Sequence, residues 1–226
     1  PAEFIACFQK TRRETVKILK IFSDNLGSEL RIPNLKEANL PIWEFCHVGW
    51  FYERWIVRNT RCSFDKRYDL SVDWDSFCSS STHFKDADSI FDSSKIEHDA
   101  RWDCSLPPFY ETLDYLEKTK DAVIEKFETN SPETEEAFYF YKLSLAHEMM
   151  HLEAFKMTAQ ILNFEIPGLK SKLLGVYYNL LFDIRRHQFQ PLRALRARTS
   201  RQAGPRNTTQ ESSKFLIYHM HTIYLL

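Results

Sequence analysis

Apolar residues recur every three to four positions in four long stretches of the chain, which is the spacing of an amphipathic helix. These stretches are residues 3–26, about Ile42 to Arg58, about 108–129, and about Glu133 to Asn163. Between the second and the third, residues 59–106 show no sustained period and are rich in Ser, Asp and single aromatic residues. The pattern predicts an all-α protein, a four-helix bundle with one long crossover loop.

The core of such a bundle is the first place to expect a functional site. In helical bundles, metal and cofactor sites are built in the core from side chains on facing helices. A loop as long as the predicted crossover is, in a compact domain, more often functional than idle. The chain contains only 5 Gly, which argues against a glycine-rich phosphate loop and against a turn-rich β fold.

Charge is distributed unevenly along the chain. Residues 1–174 contain 22 Lys or Arg and 29 Asp or Glu, whereas residues 175–226 contain 8 and 2. We interpret residues 1–174 as the helical domain and residues 175–226 as an irregular basic tail. The abrupt change is what a truncation, a misjoined exon or a frameshift would produce, or else it marks a genuine solvated tail. The mildly acidic body is not typical of a nucleic-acid binder.

The cysteine content and hydropathy bear on the compartment. The chain contains 5 cysteines, an odd number, with no CxxC pair among them. This indicates free thiols in a reducing compartment, with the cytoplasm as the expected location. No apolar run approaches the roughly 20 residues that a membrane span needs, so no membrane association is expected.

The most informative segment is Ala146 to Glu153, in the fourth predicted helix. His147 and His151 are about one turn apart, so both imidazoles project to one side, which is the spacing by which a helix chelates a single ion. Two imidazoles on an otherwise apolar stripe are costly to bury unless they find partners. His47, in the middle of the second predicted helix, is the candidate for a third ligand. Three neutral nitrogen ligands on two facing helices suit Fe(II) or Zn(II).

Other interpretations stay open on these residues alone. His147 and His151 are also compatible with two independent core histidines that backbone groups satisfy. The same letters spell H-E-x-x-H, in which Glu148 would activate a zinc-bound water of a hydrolase. The domain is also compatible with a non-catalytic metal-binding or structural helical module. Glu153 lies about 120–160° around an ideal helix from the two histidines and is not expected to be a ligand.

The residues around the histidines resemble a known family. Residues 41–54, PIWEFCHVGWFYER, resemble the first signature of the DinB-like domain of the sulfoxide synthases of ergothioneine and ovothiol biosynthesis, and of the related selenoneine synthases. Residues 147–153, HEMMHLE, match in order and spacing the H-x-x-x-H-x-E stretch that supplies two iron ligands in that family. Residues 88–94, DSIFDSS, and the residues just after them resemble a loop of the selenoneine-synthase branch. The resemblance covers roughly residues 8–174.

The resemblance implies a non-haem iron enzyme in which His47, His147 and His151 hold Fe(2+). The implied reaction uses O2 to form a C–S or C–Se bond on the imidazole of hercynine or histidine, with a thiol or a selenosugar as donor. Arg101 and Arg54 are the expected ligands for a carboxylate of the donor, because guanidinium binds carboxylate in a bidentate manner. Family members also carry a C-terminal domain that supplies much of the pocket. Nothing after residue 174 resembles that domain, so we expect this chain to be catalytically incomplete by itself.

Overall fold

The computed structural model describes residues 2–60 and 74–167, and these residues form an all-α fold. The helices are α1 (Ala2–Leu26), α2 (Pro41–Tyr52), the short α3 (Ala87–Ile90), α4 (Phe109–Thr129) and α5 (Glu135–Ile161). Within the described ranges there is no β-strand, and the one ladder-like contact is an isolated bridge between Asn59 and Cys78. The all-α prediction is therefore confirmed.

The four long helices form a bundle in which α1 and α2 each pack against both α4 and α5. Gly49 shows how closely α2 approaches α4. A Cβ atom added to this glycine would lie 3.0 Å from Cε1 of Tyr115 and 3.3 Å from Cδ2 of Leu116. Glycine at this position therefore permits the close packing of the helix that carries His47.

The second predicted helix, 42–58, is not one continuous α-helix. The α-helical part ends at Tyr52, and the chain continues as a π-helical turn, Glu53–Val57. Glu53 is fully buried in this turn, where its carboxylate accepts hydrogen bonds from the Tyr115 hydroxyl (2.5 Å) and the His83 amide (2.6 Å). Hydrophobic periodicity does not distinguish a π turn from an α turn, which is why the sequence did not reveal it.

Between the π turn and α4, the described residues form two 3-10 turns, Trp74–Phe77 and Asp99–Asp103, in addition to α3. Side chains fasten the second 3-10 turn to the linker that joins α1 to α2. The Trp102 indole donates to the carbonyl oxygen of Ile32 at 2.8 Å, and Arg31 donates to the carbonyl oxygen of Trp102 at 2.9 Å. These contacts place the Arg101 region beside the start of α2.

Three predictions concern the tail, the cysteines and membrane spans. The basic tail predicted at residues 175–226 lies outside the described residues. Cys7, Cys46, Cys78 and Cys104 are free thiols, as predicted. No helix in the described part of the chain has the length and apolar character that crossing a membrane requires.

Candidate metal centre

Three histidine side chains meet in the core between α2 and α5. Nε2 of His147 lies 3.1 Å from Nε2 of His47 and 3.2 Å from Nε2 of His151. Candidate ligand atoms of all three residues lie within 4.8 Å of one another, and the three side chains are buried. The structure therefore brings together the three histidines that the sequence singled out, in a group that can hold a metal ion.

Hydrogen bonds on the outer nitrogens orient two of the imidazoles. Nδ1 of His47 donates to the carbonyl oxygen of Phe91 at 2.7 Å, since a carbonyl oxygen only accepts. Nδ1 of His151 lies 2.6 Å from Oε1 of the buried Glu44 carboxylate and donates to it. In a neutral imidazole each contact places the single proton on Nδ1 and leaves the Nε2 lone pair facing the centre of the group, which is the form that binds metal.

Hydrogen bonding among the three histidines does not satisfy all the facing nitrogens. Because Nε2 of His47 and of His151 both carry lone pairs, a neutral His147 can donate its Nε2 proton to only one of them. The Nε2 lone pair of the other histidine would then have no donor among the three. A metal ion between the nitrogens removes this deficit.

The spacing of the nitrogens also fits a single ion. Two nitrogen ligands that bind one ion at about 2.1 Å lie about 3.0 Å apart at a right angle and about 3.4 Å apart at the tetrahedral angle. The two observed Nε2 to Nε2 distances, 3.1 Å and 3.2 Å, fall between these limits. The residues present therefore fit a divalent metal bound by three imidazoles.

The surroundings of His47 favour its neutral, metal-binding form. Burial lowers the pKa of His47 well below its usual range, and the nearby His151 and Arg101 lower it further, against the raising effect of the hydrogen bond to Phe91. Aromatic rings enclose the imidazoles: Trp43 stacks on His47 with ring centroids 4.9 Å apart, and Phe51 stacks on His147 at 3.7 Å. Metal binding requires unprotonated imidazole, so this environment favours it.

The segment around α3 is anchored to α2 by two tryptophans. Trp50 donates its indole N–H to Asp88 at 2.8 Å, and Trp43 donates to the carbonyl oxygen of Ile90 at 2.7 Å. Asp88 also forms an ion pair with Arg58, just after the π turn. These contacts hold the adjacent Phe91 carbonyl against Nδ1 of His47.

The two arginines predicted to bind substrate occupy different environments. Cζ of Arg101 lies 4.0 Å from the Trp43 ring centroid, which is itself 4.9 Å from that of His47, so the guanidinium carbon is at most about 9 Å from the His47 ring centroid. Arg54 lies in the π turn, where it forms an ion pair with Asp75 and packs over Trp55. The structure thus brings Arg101, through Trp43, next to the three-histidine group, whereas the contacts of Arg54 are with Asp75 and Trp55.

Glu148, the base of the alternative hydrolase, is held by α1. Its Oε1 atom forms an ion pair with Nε of Arg12 at 2.9 Å and accepts a hydrogen bond from the Thr15 hydroxyl at 2.7 Å. All three side chains are fully buried. Glu153 is partly buried and does not belong to the three-histidine group.

Sequence reasoning missed Glu44, Phe91 and Asn39. Glu44 is the only carboxylate in the otherwise mostly apolar α2, and an acid in such a helix was a signal that could have been read. The contact of His47 with Phe91 uses the backbone oxygen of Phe91, so the residue type at position 91 does not indicate it. Asn39 accepts a hydrogen bond from Arg101 across 62 positions of sequence, and no local pattern encodes such a pairing.

No known protein-family model matches the chain, and no characterised protein matches it with significant similarity.

Proposed function

We propose that the chain is the DinB-like, iron(II)-binding domain of an oxidoreductase of the sulfoxide and selenoneine synthase type. The observation that carries the proposal is the convergence of His47, His147 and His151, because residues 100 positions apart in the sequence meet in one buried group. His47 lies in the first family signature and the other two in the second. The order, the spacing and the spatial convergence fit the same ligand set.

The proposed crossover is also compatible with the family resemblance. The segment around residues 88–102 that resembles the selenoneine-synthase loop makes its contacts with the first signature. Asp88 binds Trp50, Ile90 binds Trp43, and Arg101 lies over Trp43. Two separate resemblances therefore belong to one local structure, which supports reading them together.

The residues of this chain have distinct proposed tasks. His47, His147 and His151 hold the metal, and Fe(II) bound there would supply the activation of O2 for C–S or C–Se bond formation on hercynine or histidine. Glu44 and the Phe91 carbonyl fix the tautomers of two ligands. Arg101 binds an anionic group of the donor, because a guanidinium beside a cation site is favourable when an anion lies between them.

The remaining assignments stay predictions. As a second donor-binding residue, Arg54 would bind the donor beside Asp75, which already pairs with Nη2 of its guanidinium. The choice between a thiol and a selenosugar donor, the contribution of a further domain to the pocket, and a cytoplasmic location rest on the resemblance and on the free thiols. We expect neither nucleic acid nor membrane as a partner.

A zinc hydrolase with Glu148 as base is less well supported. That mechanism requires the carboxylate to act on a water bound to the metal. Glu148 instead makes its polar contacts with Arg12 and Thr15 of α1, whereas His147 and His151 face His47 of α2. A carboxylate that is already bound to Arg12 and Thr15 is poorly placed to act on a water at the three-histidine group.

Anaerobic titration with Fe(II) tests the metal site. The wild type is expected to bind one ion, and His47→Ala is expected to weaken binding at least about tenfold, or roughly 1.4 kcal/mol. His98→Ala is the matched control, because this histidine lies in the same segment as Arg101 but outside the three-histidine group. Equal binding by the wild type and His47→Ala would remove His47 from the site.

A second assay separates an enzyme from a metal-binding module. The iron-loaded protein is incubated with hercynine, a thiol donor and O2, and the consumption of O2 and the formation of product are followed. Donor-dependent product supports the proposed enzyme. Iron binding without turnover would identify this chain, taken alone, as a metal-binding module.

A further inference from the structure

The turn that carries Arg101 is fastened to the linker between α1 and α2. Asn34 donates its side-chain amide to Asp99 at 3.1 Å, and Arg31 and Trp102 make the backbone contacts described above. The linker runs directly into α2, which carries His47. The position of the turn is therefore set by the same stretch of chain that leads to the metal ligands.

Asn39 contributes the contact that reaches Arg101 itself. Its side chain is buried, with 6% exposed, and Oδ1 accepts a hydrogen bond from Nη1 of Arg101. The indole of Trp43 supports the guanidinium at 4.0 Å. One amide oxygen and one aromatic ring thus fix both the place and the orientation of the charged group.

The hydrogen-bonding capacity of Arg101 is not exhausted by these contacts. Nε of Arg101 is buried and has no hydrogen-bond partner in residues 2–60 and 74–167. A buried charged donor without a partner is unfavourable and calls for a ligand. Since Nη1 binds Asn39, a planar carboxylate is the ligand class that best uses the remaining donors of the guanidinium.

A fixed positive charge this close to a metal site has a further consequence. Arg101 repels a divalent cation bound by His47, and an anion bound to Arg101 cancels that repulsion. Metal and anion therefore favour each other's binding, and the coupling is reciprocal. The size of the coupling depends on how firmly the guanidinium is held in place.

We infer that Asn39 is a positioning residue, which holds Arg101 on Trp43 so that a carboxylate-bearing ligand binds next to the metal. The inference rests on the proposed metal site and on the proposed role of Arg101. It adds a residue that neither family signature contains. It also favours, as donor, a small thiol with a carboxylate over an uncharged sugar.

The test uses Co(II) as the probe metal and two probe thiols under anaerobic conditions. L-cysteine carries a carboxylate and cysteamine lacks one. Absorption from thiolate coordinated to Co(II) reports the binding of each thiol, so no turnover is needed. The quantity compared between variants is the preference, meaning the affinity for cysteine divided by the affinity for cysteamine. Arg101→Met shows how much of this preference depends on the arginine.

The ratio of cysteine affinity to cysteamine affinity is expected to be at least about tenfold higher in the wild type than in Arg101→Met. A tenfold difference corresponds to roughly 1.4 kcal/mol. Asn39→Ala is expected to lose most of this difference while it binds Co(II) as the wild type does. Asn34→Ala is the matched control. It removes the hydrogen bond between the linker and Asp99 of the same turn but no contact of Arg101, so it should keep the preference. Asn39→Asp keeps the acceptor oxygen but neutralises Arg101, so it should also lose the preference.

Different outcomes contradict the metal site, the role of Arg101 and the role of Asn39. Absence of Co(II) binding by the wild type overturns the metal site and the inference with it. Equal preference in the wild type and Arg101→Met overturns the role of Arg101, while the metal site stands. An unchanged preference in Asn39→Ala, or an equal loss in Asn34→Ala and Asn39→Ala, overturns the positioning role of Asn39 alone.

Discussion

The carboxylate of Glu44 is bound to Nδ1 of His151, with Oε1 2.6 Å from the imidazole nitrogen. Glu44 is fully buried, and its second oxygen has no hydrogen-bond partner in the described part of the chain. A buried carboxylate is costly unless a positive charge compensates it. A divalent ion on the opposite nitrogen of His151 supplies that charge, so Glu44 and the metal stabilise each other through one imidazole.

Removal of the Glu44 carboxylate is therefore expected to weaken metal binding. Partners of this kind orient the ligand and raise its basicity, and their loss typically lowers metal affinity about 10- to 100-fold. Glu44→Ala should show the full loss. Glu44→Gln keeps an acceptor for the imidazole N–H and should show a smaller loss. The dissociation constant for Co(II), measured by competition with a chelator, checks this prediction.

Glu153→Gln is the control for the Glu44 variants. Glu153 follows His151 in the second family signature but is not part of the three-histidine group. Its replacement should leave Co(II) affinity unchanged. If Glu153→Gln weakened binding as much as Glu44→Ala, the negative charge near α5 would matter in general, and the specific role of Glu44 would be lost.

Local pattern explains which features the sequence could predict. The predicted ends of the first, third and fourth helices lie within two residues of α1, α4 and α5, because a long amphipathic repeat determines a helix almost alone. The proximity of His147 and His151 could also be predicted, since they lie one turn apart in the same helix. Periodicity and spacing therefore predict the helices and two members of the three-histidine group from local sequence alone.

Features that depend on contacts between distant segments could not be predicted. His47 could be named only as a candidate from its helix, and the family resemblance then singled it out, because nothing local relates it to a residue 100 positions away. The Phe91 carbonyl and Asn39 act through segments with no repeating pattern. The π turn after Tyr52 depends on the buried contacts of Glu53 with Tyr115 and His83. Each of these is a property of the folded bundle.

The buried ion pair of Arg12 and Glu148 is expected to be structural. Both side chains are almost fully buried, at 1% and 0% exposed, so neither charge can be solvated when its partner is removed. Arg12→Met should lower the free energy of unfolding by about 3–5 kcal/mol, because it leaves an uncompensated buried carboxylate. Urea unfolding monitored by circular dichroism measures the loss.

Glu148→Gln provides the complementary variant for function. If Glu148 serves only the ion pair, this substitution should destabilise the fold and leave Co(II) affinity unchanged. The double variant Arg12→Met/Glu148→Leu should recover much of the stability, since replacing both charges removes the unpaired one. A variant Glu148→Gln that stays folded, binds metal and loses a hydrolytic activity of the wild type would instead revive the hydrolase.

Asp88 is expected to make the fold sensitive to acid. Burial raises the pKa of Asp88, but hydrogen bonds from Arg58 and Trp50 outweigh this effect and lower it to about 2. Because the folded pKa lies below the unfolded value of about 3.9, Asp88 stabilises the fold above pH 4 or so, and this contribution is lost as the pH falls towards about 2. The side chain is 39% exposed, so solvent screening limits the contribution to about 1 kcal/mol.

Asp88→Asn removes this titration and so isolates it. The free energy of unfolding of the wild type should exceed that of Asp88→Asn at about pH 6, and the difference should shrink as the pH is lowered from about 4 to about 2. Asp114→Asn is the control, because Asp114 pairs with Lys118 on the exposed surface of α4. Its difference from the wild type should stay small at every pH, and a pH-independent difference for Asp88→Asn would show that the Arg58 and Trp50 contacts do not stabilise the charged form of Asp88.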